Sequence, residues 1–245
     1  MANNTTITQR TSLYHRKKYT TTNITLGIPQ IDIFWKGFSP ATTTLIDSRH
    51  SFLDMILAIV SVKAVDAFNQ SILYIDGGNS INIYQIINVA KRNHLTLSPI
   101  LKKILVARAF TTYQLDTLIR TLDKKIGYHS PSALIVPCIT SLLLDANIKK
   151  KEGETLLTWW MQEITRITQE YNLISLISSS ISYANWYTRS LWKILTRDVT
   201  TIVRITPKKE SLVLHFIKQD RVINYLPIPL NQRTLDEFTG EKKDG

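Results

Sequence analysis

From residue 43 to residue 181 the chain alternates short apolar runs with amphipathic stretches, and this alternation limits the possible folds more than any other feature. SILYID (71–76), KILVARAF (103–110), SALIVPCITSLLL (132–144) and NLISLISSSI (172–181) each contain an apolar segment of strand length. Between them lie stretches with helical spacing. Residues 81–93 form one, and 112–126 a second, with Leu115, Leu118, Ile119 and Leu122 on one face. The clearest is 154–171, where Leu156, Leu157, Trp160, Met161, Ile164, Ile167 and Tyr171 recur at steps of three and four. Apolar strands joined by helices bury both faces of a sheet, and crossovers of this kind make it parallel. The expected fold is α/β, with a largely parallel central sheet flanked by helices. VTTIVRIT (199–206), SLVLHFIK (211–218) and RVINYLPI (221–228) follow with only short turns between them, at 207–210 and 218–220, so C-terminal antiparallel strands are expected.

At 245 residues one sizeable domain is expected, over 24–229. A basic arm or linker at 1–23, with Arg10, Arg16, Lys17 and Lys18, precedes it, and a polar tail follows at 230–245. Residues 24–36 predict a turn at Gly27 and then a short helix with Ile31, Phe34 and Trp35 on one side. The single cysteine, Cys138, excludes an internal disulfide and falls in an apolar run, where burial is expected. No apolar run approaches the roughly 20 residues needed to span a bilayer, and MANNTTITQR lacks a signal-peptide core. A soluble intracellular protein without a membrane partner is the expectation. The five histidines are scattered without zinc-ligand spacing, so no metal site is expected. The net charge of +11 and a pI of about 9.7 favour a polyanionic partner, nucleic acid ahead of a membrane surface.

Residues 43–58 (TTLIDSRHSFLDMILA) read as strand, loop and helix. A phosphate-binding loop at such a junction needs glycines, so that backbone amides can close on the anion, and a lysine to neutralise it. This loop is Asp47, Ser48, Arg49, His50, Ser51, Phe52, Leu53 and Asp54: it has neither glycine nor lysine, and two carboxylates repel an anion. The layout is that of an ATPase and the chemistry is not, so no cofactor is expected.

Several strings in order carry a resemblance to a known family. ITLGIPQID (24–32) is similar to an opening segment ITTG followed by a leucine-rich turn. YIDGGNS (74–80) stands where that family has YIDTEG, and VARAF (106–110) resembles its ARAF strand end. ALIVPCITSLLL (133–144) resembles LLIVDSVTSLF, and Glu152, Gly153 and Glu154 resemble its GRGEL segment. Together they resemble the ATPase core of the RecA family, in its Rad51/RadA recombinase branch, from about residue 11 to 229. The departures fall on the chemistry. By this resemblance the catalytic glutamate falls on Gly78, the Mg²⁺-holding aspartate on Pro137, and the glutamine that couples ATP state to DNA near Ser180. SLYHRKK (12–18) resembles the linker that follows the branch's Phe-x-x-Ala polymerisation motif, but the motif's Phe and Ala are missing from TQRT (8–11). The resemblance therefore implies a non-catalytic paralogue that does not build filaments by itself.

In this family two loops face DNA. The first maps to 145–153, where Lys149, Lys150 and Lys151 are consecutive; the plain alternative is a solvated charge run. The second maps to 182–198, where Tyr183, Trp186, Tyr187 and Trp192 interleave with Arg189, Lys193 and Arg197. Aromatic faces that stack on bases beside cations that follow phosphates suit a single strand. The same residues suit a partner interface or an amphipathic helix packing its tryptophans on the body. The implied function is accessory: binding DNA, single-stranded by expectation, and assisting an active RecA-family recombinase or another paralogue in recombination or repair. The alternative is a scaffold that docks on such an ATPase without touching DNA.

Overall fold

The computed structural model describes residues 22–181 and 184–227. The predicted arm, its linker motif, the tail and Tyr183 lie outside the described residues.

Eight strands form one sheet in the order β3-β2-β4-β5-β1-β6-β7-β8. They are β1 (Thr42–Asp47), β2 (Ile72–Asp76), β3 (Ile104–Arg108), β4 (Ala133–Val136), β5 (Ile174–Ser179), β6 (Thr201–Lys208), β7 (Ser211–Phe216) and β8 (Arg221–Tyr225). The first six are mutually parallel; β7 and β8 continue the sheet antiparallel, as the helix-free C-terminal run predicts. The chain leaves β1 for β2 and β3, then returns through β4 and β5 to β1's other neighbour, β6. Sheets of this kind place their functional loops at the carboxyl ends of the strands.

Two apolar layers hold the sheet. On one face lie α1 (Pro29–Asp32), α2 (Phe52–Phe68), α3 (Ile83–Arg92) and α4 (Leu97–Lys103), with Ile46, Tyr74 and Leu176 facing them. On the other lie α5 (Thr112–Arg120), α6 (Leu122–His129), α7 (Lys150–Glu170) and α8 (Trp186–Arg197), with Leu45, Ile75 and Ile177 facing them. Adjacent residues of one strand enter opposite layers, the period of two expected of a strand buried on both faces. α2 is apolar nearly all round, as befits a helix covered on several sides.

Several expectations change in detail. The single helix predicted over 112–126 is two, α5 and α6. At the break Thr121 leaves helical geometry (φ −98°, ψ 6°), and its hydroxyl donates to the carbonyls of Thr117 and Leu118. α7 begins a turn earlier than its apolar stripe, so Lys150 and Lys151 sit in its first turn. Phe34 lies outside the core, 58% exposed, because α1 ends at Asp32; Ile31 alone of the predicted trio is fully buried. Cys138 lies past β4 rather than within it, half-buried at φ 50°. α4 has no counterpart in the sequence reading.

Candidate nucleic-acid interface

The loop after β1 is closed by its own atoms. The amide of His50 donates to Ser48 Oγ (3.0 Å) and that of Phe52 to His50 Nδ1 (3.1 Å). The amides of Leu53 and Asp54 donate to the carbonyls of His50 and Ser51. Those N–H groups would cradle a phosphate in a nucleotide-binding loop, and here each has an acceptor. Phe52 and Leu53 are buried in the α2-side core, and the Phe52 ring packs 5.3 Å from Tyr225. Asp47 is buried and accepts from Arg204 Nε at 2.7 Å. Ser48 extends the β1–β5 ladder through its amide to the Ser179 carbonyl (3.1 Å). Arg49 reaches across the same ends: its Nε donates to the Ser180 carbonyl at 2.8 Å.

The positions that matched the family's catalytic groups are likewise committed to the chain's own structure. Asp76 is fully buried. Its carboxylate accepts from the Ser80 amide (2.8 Å), the Ser80 hydroxyl (3.2 Å) and the Ile81 amide (3.3 Å), and it pairs with Arg108 at 3.5 Å. A Cβ on Gly78 would lie 2.6 Å from that of Cys138, so the turn after β2 and the turn after β4 are packed backbone against side chain. Burial pushes the Cys138 thiol above its ordinary range, although hydrogen bonds from Ser178 and Ser80 draw it partly back. Asp54 is half-buried beside Tyr74, Ser80 and Asn82. Among the described residues, no three His, Cys, Asp or Glu side chains come together as a metal site.

The two predicted loops meet at the carboxyl ends of β4 and β5. The first, 145–153, follows a one-turn 3₁₀ segment (Ser141–Leu144) and runs into the first turns of α7. Lys149, Lys150 and Lys151 are all exposed there, and none forms an ion pair among the described residues. The second is mostly helix. Asn185 caps α8 by accepting from the Thr188 amide (2.9 Å), and the Thr188 hydroxyl answers the Asn185 amide. This helix separates the predicted residues by face. Trp186 is 54% exposed, and the Lys150 ammonium lies 5.0 Å from its ring centre. Arg189 and Lys193 are exposed without an acidic partner among the described residues; Arg197 is exposed and pairs with Asp198. Tyr187 faces inward, buried, with its hydroxyl donating to the Leu143 carbonyl at 3.1 Å; burial raises its pKa. Trp192 is half-buried beneath the Arg204 guanidinium, 5.0 Å from its ring centre. Of the predicted aromatics on α8, Trp186 faces solvent, while Tyr187 and Trp192 pack inward.

The two segments touch directly. A Cβ on Gly153 would overlap the Tyr187 hydroxyl oxygen, so glycine is what lets α7 and α8 approach this closely. Between the segments lies a cleft of about 460 Å³, lined by Arg49, Lys150, Ser180 and apolar side chains of both loops.

Sequence reasoning missed a second exposed region at the sheet's open edge. Among the described residues β3 pairs only with β2; Val106 on it is 44% and Phe110 just after it 69% exposed, with Tyr84 on α3 more exposed still. The signal was present: residues 77–115 contain no Asp or Glu but carry Lys91, Arg92, Lys102, Lys103 and Arg108.

A parallel sheet sandwiched by helices, with a strand–loop–helix unit at β1 and paired basic segments beyond β4 and β5, defines a RecA-like protein. The Rad51 family model matches residues 54–187, more than half of the 245-residue chain, and the chain belongs to that family. A search of curated proteins returns no match. Among the described residues no helix is long and apolar enough to cross a membrane.

Proposed function

We propose that this Rad51-family chain binds single-stranded DNA without nucleotide and assists an active recombinase of its family in homologous recombination or repair, with no ATP hydrolysis of its own. One observation carries the reading. The loop that would hold phosphate is closed by internal hydrogen bonds and filled by Phe52 and Leu53, while Lys149, Lys151, Arg189 and Lys193 stand exposed beside the Trp186 face with no acidic partner among the described residues. Phosphoryl transfer needs positioned charge, metal and water. Gly78 and Pro137 bring no carboxylate to the positions where the family has them, and Asp76 is occupied by Ser80, Ile81 and Arg108. The exposed cations suit a phosphate chain, and Trp186 suits a stacked base, at about 1–3 kcal/mol per base.

The test is fluorescence anisotropy of a single-stranded oligonucleotide at rising salt, comparing the native chain with the triple variant Lys149→Glu, Lys150→Glu, Lys151→Glu. Each lost phosphate contact lowers the log–log salt slope by about 0.7 on a single strand, so a fall of about 2 is expected. Unchanged affinity and slope would remove this segment from the interface.

A specific observation favours a second reading, a scaffold that docks on a RecA-like ATPase without contacting DNA. The open β3 edge, with Val106 and Phe110 exposed, offers unpaired backbone and apolar side chains to a partner strand. A scaffold elutes from a single-stranded DNA column at low salt and is retained by an immobilised recombinase; Val106→Lys abolishes that retention. Retention on DNA at physiological salt excludes it.

A further inference from the structure

We infer that the cleft between the two segments is a nucleotide slot, taking one base of a bound strand between its apolar walls, and that Arg49 has become a phosphate ligand of this slot. The inference rests on the strand-binding reading above and names what that site holds. The cleft measures about 460 Å³, inside the roughly 300–1,000 Å³ of small-molecule sites. Its apolar lining is led by the exposed Leu144 and the half-buried Ile148, with Leu143 and, just past β5, Ile181 buried behind them, and Asn185, Tyr187 and Thr188 at the start of α8 complete it. Apolar walls of this kind take the face of a base and give nothing to a bare phosphate. Two cations line the same cleft, Arg49 and Lys150. Arg49 is anchored through Nε to the Ser180 carbonyl at 2.8 Å, which leaves its two terminal amino groups without a partner among the described residues. A guanidinium held by one nitrogen and open at the other two is set for bidentate contact with a phosphate. Asp145 is the one carboxylate in the lining, and its Oδ1 already accepts from the amide and the side chain of Asn147.

Arg49 belongs to the former phosphate loop. There the closed loop leaves no anion site, so its side chain turns to the end of β5 and joins the strand-binding segments.

The experiment fills the slot from its exposed rim with Ala146→Trp and, separately, Ala184→Phe. Binding of the native chain and both variants to an oligothymidylate is compared with binding to an abasic strand of equal length. The slot predicts a fall of about tenfold for the oligothymidylate, as loss of one stacked base gives, with unchanged binding of the abasic strand. Arg49→Gln is expected to weaken both strands alike and to lower the salt slope by about 0.7. Equal losses on both strands from the filling variants, or none on either, overturn the base slot. Arg49→Gln with an unchanged slope overturns the assignment of Arg49. Saturable binding of thymidine monophosphate, blocked by Ala146→Trp while strand affinity stays unchanged, would make the slot a site for free nucleotide and also overturn it. If the native chain binds neither strand, it is the strand-binding reading itself that has failed.

Discussion

Gly153→Ala should be one of the most damaging single-methyl additions on α7, and its cost should depend on Tyr187. The new Cβ would overlap the Tyr187 hydroxyl oxygen, lie 3.3 Å from Cζ, and lie 3.7 Å from Ile148 Cγ2. The ring must shift, and the hydrogen bond from Tyr187 to the Leu143 carbonyl, 3.1 Å long and buried, is lost. Overpacking a filled site costs about 1–3 kcal/mol and the hydrogen bond about 0.5–1.5 kcal/mol. Alanine in place of glycine returns about 0.8–1.0 kcal/mol of helix propensity. The expected net loss is about 1–3 kcal/mol. Tyr187→Phe removes the overlapping oxygen, and the nearest remaining approach is tight but tolerable. In that background the helix-propensity gain offsets the residual contact and Gly153→Ala should be close to neutral, so the coupling is about as large as the cost in the native chain, about 1–3 kcal/mol. Urea unfolding of the four species, followed by tryptophan fluorescence, measures the cycle. Equal costs of Gly153→Ala in both backgrounds would refute the claim that this glycine is needed for the α7–α8 approach.

Three further outcomes follow from the same contacts. Arg204→Met strips the buried Asp47 of its 2.7 Å ion pair and should cost about 1–3 kcal/mol; this is less than for a fully buried pair because the Arg204 side chain is 35% exposed, and a thermal melt within experimental error of the native chain would contradict it. Phe52→Ala should cost about 3–5 kcal/mol in urea unfolding, since the ring is buried against Tyr225; a loss below about 1 kcal/mol would mean that the ring does not fill the loop's core position. Because burial raises the Cys138 thiol pKa, its stabilising effect is complete below the unfolded value of about 8.5 and declines as pH rises toward the folded value; alkylation at pH 8 should be far slower in the native chain than in urea, and equal rates would refute it.

The sheet was legible because its signal is local and repeated. Each central strand carries a short apolar run, and the helices on both faces follow from the absence of a polar side to those strands. The break at Thr121 was not legible, because it leaves the apolar spacing of 112–126 intact. The aromatic residues of α8 were legible as a group but not by direction. Their interleaving with Arg189, Lys193 and Arg197 was plain, whereas the inward turn of Tyr187 depends on Gly153, which lies in another helix. The missing glycines and lysine of the loop were plain in the sequence. Its closure by His50, Ser48 and Phe52 was not, since that depends on a ring nitrogen and a hydroxyl meeting particular amides. The acid-free run at 77–115 marked a basic stretch, but placing β3 at an edge of the sheet needs the strand order.

Nucleotide independence is the central property of the proposed function. Affinity for a single-stranded oligonucleotide should be measured by anisotropy at physiological salt, with and without millimolar Mg-ATP. Equal, submicromolar dissociation constants in the two conditions are predicted, with preference for single over double strands. An affinity that rises severalfold with Mg-ATP, and saturates with it, would show that the loop between β1 and α2 still opens to a nucleotide, and would contradict the account.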